Sequence, residues 1–116
     1  MNAARRVVGD VIVLNLSGRM TGLETPGLMK EQVSAALLAG HLRIVLNLSQ
    51  LSFADSSFIG ELVTCFLKTS RVGGTLKVAC PVRRVQELLA ITRLGTVIES
   101  FDSEFAAVES FSKPAH

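Results

Sequence analysis

Three adjacent polar residues, Asp55, Ser56 and Ser57, form the stretch of this 116-residue sequence whose side chains could do chemistry. They follow an apolar run at 44–48 that reads as a buried strand, and they precede a helical pattern. An Asp carboxylate is a favoured helix N-cap because it accepts the first free backbone N–H groups. A serine hydroxyl in the first turn could carry a phosphate, which the positive end of the helix dipole tolerates. The same three residues could equally serve only to start the helix.

The spacing of the two serines places them on different faces of the predicted helix. At about 100° per residue, Ser56 falls at the margin of the apolar stripe, whereas Ser57 falls on the solvent face with Glu61. We therefore expect Ser57 to be the hydroxyl that a partner reaches, and Ser56 to satisfy nearby backbone groups. The predicted stripe consists of Ile59, Leu62, Val63, Phe66 and Leu67.

Other residue types that support catalysis are not arranged for it. The two histidines, His41 and His116, form no metal-ligand spacing with Cys65 or Cys80. A Ser-His-Asp arrangement therefore lacks its base. The sequence has no glycine-rich phosphate loop and no G-x-S-x-G elbow. We expect a chain that is not an enzyme and that uses no cofactor or metal.

The composition is that of a globular protein. Hydrophobic residues make up 48% and charged residues 19%, a balance that argues against intrinsic disorder. The formal net charge of +2 is too small to argue for nucleic acid or an anionic membrane as a partner. We find no secretory signal pattern and no apolar run of about 18 residues that would insert into a membrane. We expect a cytoplasmic protein with one domain over 1–116 and an ordered core at about 5–111.

Strand and helix patterns alternate along the chain. Gly9-Asp10 marks a tight turn between strands at 6–8 and 11–16, and a loop is predicted at 17–22. Helix starts are predicted at Thr25-Pro26, Asp55, Pro81 and Asp102, and further strands at 44–48, 75–79 and 96–101. The order β-β-α-β-α-β-α-β-α favours a single-domain α/β fold with a mixed sheet. In it, the N-terminal hairpin adds an antiparallel pair to otherwise parallel strands.

Apolar residues in this pattern identify the core. Met20, in the predicted loop, either plugs the core or makes an exposed contact. The inward faces predicted for the other helices are Met29, Val33, Ala36 and Leu37; Val82, Val85, Leu88 and Leu89; and Phe105, Val108 and Phe111.

The chain resembles a STAS domain, the fold of anti-sigma factor antagonists. The resemblance covers nearly the whole chain, and its most specific part is the Asp-Ser-Ser motif after a strand. The segments that carry it are 16–19 after the hairpin, the helix after Pro26, 45–49 leading to 55–60, 76–79 after Gly73-Gly74, and 88–95 leading to 101–108.

The resemblance implies a regulatory module of bacterial signalling. In the family, the second hydroxyl residue of the motif is phosphorylated by a partner that is both a serine kinase and an anti-sigma factor; here that residue is Ser57. The unphosphorylated form binds this partner and releases a sigma factor for transcription, and phosphorylation blocks the binding. The implied partner-binding residues are Asp55, Ser56, Phe58, Glu61, Met20 and Thr21.

Two positions differ from the family pattern. Phe58 stands where the family usually has Gly, and it either covers the core margin or forms an exposed contact beside Ser57. The loop at 19–22 lacks the acidic residue that the family often carries there. Alternatives to the switch are a non-switching STAS subunit of a larger complex, such as a transporter-associated assembly, and a STAS domain that binds a small ligand or nucleotide. A homodimer through the outer strand is also open, since Arg5 and Arg6 only weakly discourage pairing.

Overall fold

The computed structural model describes residues 2–23 and 26–112, within which five strands form one mixed sheet. The strands are β1 (Asn2–Val8), β2 (Val11–Met20), β3 (Arg43–Ala54), β4 (Thr75–Ala79) and β5 (Ser100–Phe101). The helices are α1 (Leu28–Leu38), α2 (Ser56–Arg71), α3 (Arg83–Thr92) and α4 (Glu104–Ser110). The predicted α/β class and the predicted order of elements are confirmed.

The sheet has the pairing that the sequence pattern predicts. β1 and β2 form an antiparallel hairpin, and Gly9 takes the positive φ of +63° that its turn requires. The pairs β2–β3, β3–β4 and β4–β5 are parallel. Alternate residues of β2 enter two cores: Leu14 faces the larger one under α1, α2 and α3, and Val13 faces the smaller one under α4. Both faces of the sheet are therefore covered.

The first helix begins later than predicted. α1 starts at Leu28, so Pro26 lies in the preceding turn and is not the first helical residue. Thr25, predicted as the N-cap, lies outside the described residues. The helix ends as predicted at Gly40, whose φ is +91°, and the N–H groups of Gly40 and His41 donate back to carbonyl groups of the last turn.

The loops predicted after the second and third strands are strands instead. β2 continues to Met20 and β3 to Ala54, and residues 17–20 pair in parallel with 50–54 through irregular register. β4 pairs with β3 only as far as Asn47. The segments 17–20 and 50–54 therefore form a two-stranded extension of the sheet, which we call the ribbon. The polar side chains of these segments do not prevent strand formation, because pairing across the ribbon satisfies the backbone N–H and C=O groups.

The C-terminal third differs from the prediction in three places. The strand predicted at 96–101 shrinks to the two residues of β5, because a 3-10 turn at Leu94–Thr96 occupies its first part. α3 begins at Arg83, after rather than at Pro81. Phe105 is 75% exposed instead of inward, and Ala107 is the residue that α4 buries completely. Residues 113–116, beyond the predicted ordered core, lie outside the described residues.

Candidate functional site

Asp55 joins the end of the ribbon to the start of α2. Its backbone N–H donates to the carbonyl of Met20 at 3.3 Å. Its Oδ1 accepts the N–H of Ser57 at 3.0 Å, so Asp55 is the N-cap that the sequence predicts. Its Oδ2 accepts the N–H of Gly22 at 3.3 Å. One carboxylate thus holds the turn after β2 against the first turn of α2.

Both serines of the motif are exposed. Ser57 has the accessibility predicted for it, whereas Ser56 is more accessible than its place beside the apolar stripe suggested. Gly22 approaches Ser57 so closely that a β-carbon at position 22 would lie 2.4 Å from the serine Oγ. This approach requires glycine, because any side chain at that position would displace the hydroxyl.

Phe58 and Met20 belong to the core. Each is 2% exposed, so the core alternative is confirmed for both and the exposed-contact alternative is wrong. The reason is that the buried stripe of α2 is rotated from the predicted one toward the N-terminal Phe. Its members are Phe58, Ile59, Leu62, Cys65 and Thr69. Thr21 is also buried, so Met20, Thr21 and Phe58 support the surface around Ser57 from beneath.

Glu61 is half-buried and engaged, rather than free on the solvent face. Its Oε1 accepts the N–H of Gly27 and its Oε2 accepts the N–H of Met29, each at 2.9 Å. Gly27 is the N-cap residue of α1 and has no side chain that could cap the helix. Glu61 therefore caps α1 from α2, where its negative charge also complements the α1 dipole. The residue predicted as a partner contact thus also fixes the start of α1.

Five of the predicted site residues come together, with Gly22, around a very small cavity that Asp55 and Ser56 do not line. It measures about 10 Å³, which is room for about one water molecule. Its lining residues are Met20, Thr21, Gly22, Ser57, Phe58 and Glu61. The arrangement therefore offers an exposed hydroxyl on a firm surface rather than a pocket.

Two arginines lie at the end of the ribbon, and sequence reasoning assigned neither to the site. The guanidinium of Arg19 lies 4.5 Å from the ring centroid of Phe53, its partner across the ribbon. The Nε of Arg84, from α3, donates to the carbonyl of Ala54 at 3.3 Å. The pair Arg19–Phe53 follows from register, so a correct prediction of the ribbon would have found it. We see no signal in the sequence for the contact of Arg84.

Cys65 lies on the buried face of α2, one turn after Glu61. Burial, and then the nearby carboxylate of Glu61, raise the pKa of the Cys65 thiol to about 12, so it is not an activated nucleophile. Residues 2–23 and 26–112 contain no group of three or more His, Cys, Asp or Glu side chains that could hold a metal ion. Over the same residues, no helix is long and apolar enough to cross a membrane.

The sequence profile of the STAS domain family matches residues 2–107. The chain belongs to the STAS domain family. The match covers the strands, the three larger helices and the Asp-Ser-Ser motif, and it confirms the family that the sequence resembles.

Relatives of this STAS domain include a candidate anti-sigma factor antagonist of Thermotoga neapolitana. It is 30% identical over 105 residues, which cover 90% of this chain and 92% of that protein. The crystal structure of a candidate anti-sigma factor antagonist of Thermotoga maritima has a TM-score of 0.87 and 26% identity, and the match covers 96% of this chain and 95% of that one. The phosphorylated form of the Bacillus protein SpoIIAA shares the fold, with a TM-score of 0.73 at 20% identity over 95% of this chain and 99% of that one.

Proposed function

We propose that this STAS domain is a cytoplasmic anti-sigma factor antagonist. It binds an anti-sigma factor that is also a serine kinase, and phosphorylation of Ser57 ends the binding. The observation that carries the proposal is the exposed hydroxyl of Ser57 in the first turn of α2, where the ribbon ends. The relatives named as candidate anti-sigma factor antagonists support the class of partner.

The surroundings of Ser57 suit a phosphate acceptor. The Ser57 N–H is held by Asp55, and Gly22 packs against the hydroxyl, so both sides of the residue are fixed before a kinase binds. A preorganised acceptor lowers the entropic cost of forming the reactive complex. Ser57 follows the ribbon, and the ribbon extends beyond Asn47, the last residue of β3 that pairs with β4. This extension leaves room for a kinase to approach the hydroxyl.

The contact surface also includes an apolar residue that sequence reasoning missed. Leu23 follows Gly22 in the turn after β2 and is 92% exposed. A partner that covers this leucine would bury its apolar side chain, which favours association. The proposed surface therefore combines Leu23 with the polar side chains of Asp55, Ser56 and Ser57. Met20, Thr21, Phe58 and Glu61 act on it indirectly, by holding its shape.

The proposed switch acts on the complex and not on the fold. A phosphate adds nearly two negative charges, which at an exposed helix N-terminus cost the free domain little. SpoIIAA, which shares this fold, has been solved in phosphorylated and unphosphorylated forms, which supports the view that the fold tolerates such a modification. In a complex, the phosphate would enter a desolvated contact beside the carboxylate of Asp55. A loss of about 3 kcal/mol would weaken binding more than a hundredfold.

The test is a pull-down from the native cell, with wild type, Ser57→Ala and Ser57→Asp as baits. Ser112→Ala and Ser112→Asp are controls, because Ser112 is an exposed hydroxyl after α4, on the opposite face of the sheet from α2. Bound proteins are identified by mass spectrometry, and the wild-type bait is searched for phosphate. We expect a kinase-like anti-sigma factor on every bait except Ser57→Asp, and phosphate on Ser57.

Two results would contradict the proposal. If all five baits hold the same partners and Ser57 carries no phosphate, the domain is a constitutive subunit of an assembly. If Ser112→Asp disrupts binding as strongly as Ser57→Asp, general negative charge rather than a specific phosphosite explains the effect. A nucleotide-binding role would instead appear as a rise in melting temperature on adding ATP or GTP, although the cavity beside Ser57 holds only about one water.

A further inference from the structure

A second groove lies at the opposite end of α2 from Ser57. It runs between the C-terminal parts of α1 and α2 and has a volume of about 380 Å³. Its lining residues are Ser34, Leu37, Leu38, Lys68, Arg71 and Val72. α2 is 16 residues long, so at 1.5 Å per residue the groove is roughly 20 Å from Ser57. A protein bound here would leave the serine accessible.

Two of the aliphatic side chains that line this groove are exposed. Leu38 is 90% exposed and Val72 is 54% exposed, whereas Leu37 is half-buried and packs against the core. A single exposed leucine is ordinary, but two large aliphatic side chains at one groove form a patch that a partner can cover. Leu38 is the last residue of α1 and Val72 is the C-cap residue of α2, but backbone groups make both caps and neither side chain takes part.

The charged side chains that line the groove are both positive. Lys68 and Arg71 lie at its rim, and of the described residues that line it none is acidic. Within residues 2–23 and 26–112, neither cation has an ion-pair partner. Their position near the end of α2 complements the helix dipole, but that role leaves their outer faces available. A second copy of this chain would bring like charges together across a twofold axis, so the groove is unsuited to a symmetric dimer.

We propose that the α1–α2 groove binds an acidic amphipathic helix of a partner protein. The apolar face of that helix covers Leu38 and Val72, and its carboxylates meet Lys68 and Arg71. In this mode of recognition, an amphipathic helix lays its apolar face in a hydrophobic groove. Complementary charges at the rim fix the position of the helix along the groove and speed its association. The inference is independent of phosphorylation, because the two surfaces lie at opposite ends of α2.

The first test uses a synthetic peptide with leucines at every third and fourth position and glutamates elsewhere. Binding to the full chain is measured by fluorescence anisotropy, and backbone amide shifts locate the peptide by NMR. We expect shifts around Leu38 and Val72 and at least a tenfold loss of affinity in Leu38→Ser. The double variant Lys68→Glu/Arg71→Glu should lose the glutamate peptide and gain a peptide with lysine at the same positions. Ile91→Ser, which changes an exposed aliphatic residue on α3, is the control.

Several outcomes would overturn this inference. They are equal binding of the lysine and glutamate peptides to wild type, amide shifts elsewhere on the domain, no binding at millimolar peptide, or an equal loss in Ile91→Ser. A second test places a photo-cross-linking amino acid at Ser34 in the native cell and sequences the attached peptide. An acidic amphipathic segment supports the inference, whereas a peptide of this same chain, or no product, contradicts it. Ser57→Asp should change neither test, so the two proposals fail independently.

Discussion

Gly22 and Ser57 touch, and their contact leaves no space for a side chain on Gly22. A β-carbon there would lie 2.4 Å from the Oγ of Ser57 and 3.0 Å from its Cβ. The N–H of Gly22 also donates to Asp55, so the turn after β2 is fixed to α2 by one hydrogen bond and one steric contact. The residue type at position 22 therefore controls how the hydroxyl of Ser57 is presented.

Gly22→Ala should destabilise the fold by roughly 1–3 kcal/mol, because the new methyl group must displace Ser57. Gly60→Ala is the control: Gly60 is exposed within α2, and a β-carbon there meets nothing within 4 Å. That change should stabilise the fold by about 0.5–1 kcal/mol through helix propensity. Urea denaturation measures both effects, and the slope of the unfolding free energy against urea concentration should be the same in the variants and wild type. Similar changes in the free energy of unfolding of the two variants would show that the contact with Ser57 does not affect stability.

Asp55→Ala should cost about 1–2 kcal/mol, because it removes the cap of α2 and the tie to Gly22 together. Asp55→Asn keeps an acceptor for the cap of α2 but turns its amide nitrogen toward the N–H of Gly22, so it should lose less than Asp55→Ala while still losing the tie to Gly22. Thermal unfolding followed by circular dichroism gives the comparison. If the Asn and Ala variants are equally unstable, the stabilising effect of Asp55 comes from its charge or its tie to Gly22 and not from the cap of α2.

The architecture was predictable because its signals are local and repeated. Short apolar runs defined β2 and β4, and Asp55 before an apolar stripe defined the start of α2. The ribbon escaped prediction because segments 17–20 and 50–54 carry polar residues and glycine, and what makes them strands is their pairing with each other. Phe105 was misplaced for a related reason: α4 is too short for its periodicity to determine which face is inward.

Glu61→Gln should destabilise the domain by about 1–2 kcal/mol. A carboxylate accepts the N–H groups of both Gly27 and Met29, whereas an amide has one acceptor oxygen and would turn a donor toward the other N–H. Glu31→Gln is the matched control, because Glu31 is exposed in the first turn of α1. It should cost only a few tenths of a kcal/mol, from its interaction with the helix dipole. Chemical denaturation that gives equal losses would exclude Glu61 as the cap of α1.

The ion pair between Arg6 and Glu104 should make part of the stability pH-dependent. The hydrogen bond from Arg6, assisted by one from Asn47, lowers the pKa of Glu104 in the folded protein. A carboxyl with a depressed folded-state pKa contributes stability above its unfolded-state pKa, and that contribution is lost as the pH falls through the folded-state value. Glu104→Gln should therefore be less stable than wild type by roughly 0.5–1 kcal/mol near neutral pH.

The difference between wild type and Glu104→Gln should shrink as the pH falls through the folded-state pKa of Glu104, which lies below the usual value for a glutamate. Denaturation curves recorded across this pH range test the sign directly. Glu109→Gln, at an exposed position on the same helix, should show no such trend. A gap that stays constant with pH would mean that packing, not charge, is what the substitution removes.

The two cysteines should react very differently with a thiol reagent. Cys65 is buried and has its pKa raised to about 12, so at pH 8 about one molecule in ten thousand carries the thiolate. Cys80 is only half-buried. We expect one thiol per native chain to react with Ellman's reagent and two after denaturation, with none in native Cys80→Ser. Rapid reaction of both thiols in the native state would contradict the burial of Cys65.

The candidate site was predictable in its chemistry and less so in its construction. Asp55 and Ser57 are adjacent in sequence, so their capping geometry and exposure followed from the helix they begin. Gly22 and Glu61 act across long stretches of chain, on Ser57 and on α1, and a single sequence has no periodicity that pairs them. Sequence therefore identified the hydroxyl but not the residues that hold it in place.

The strands lie across the sheet in the order in which they are synthesised. Each strand that leaves the ribosome therefore finds its neighbour already made, and contacts between consecutive elements favour rapid folding. The residues around Ser57, from Met20 to Glu61, all precede β4. The nascent chain thus contains the complete serine site, including its lining, before translation reaches the last two strands. The guanidinium of Arg84 joins it afterwards.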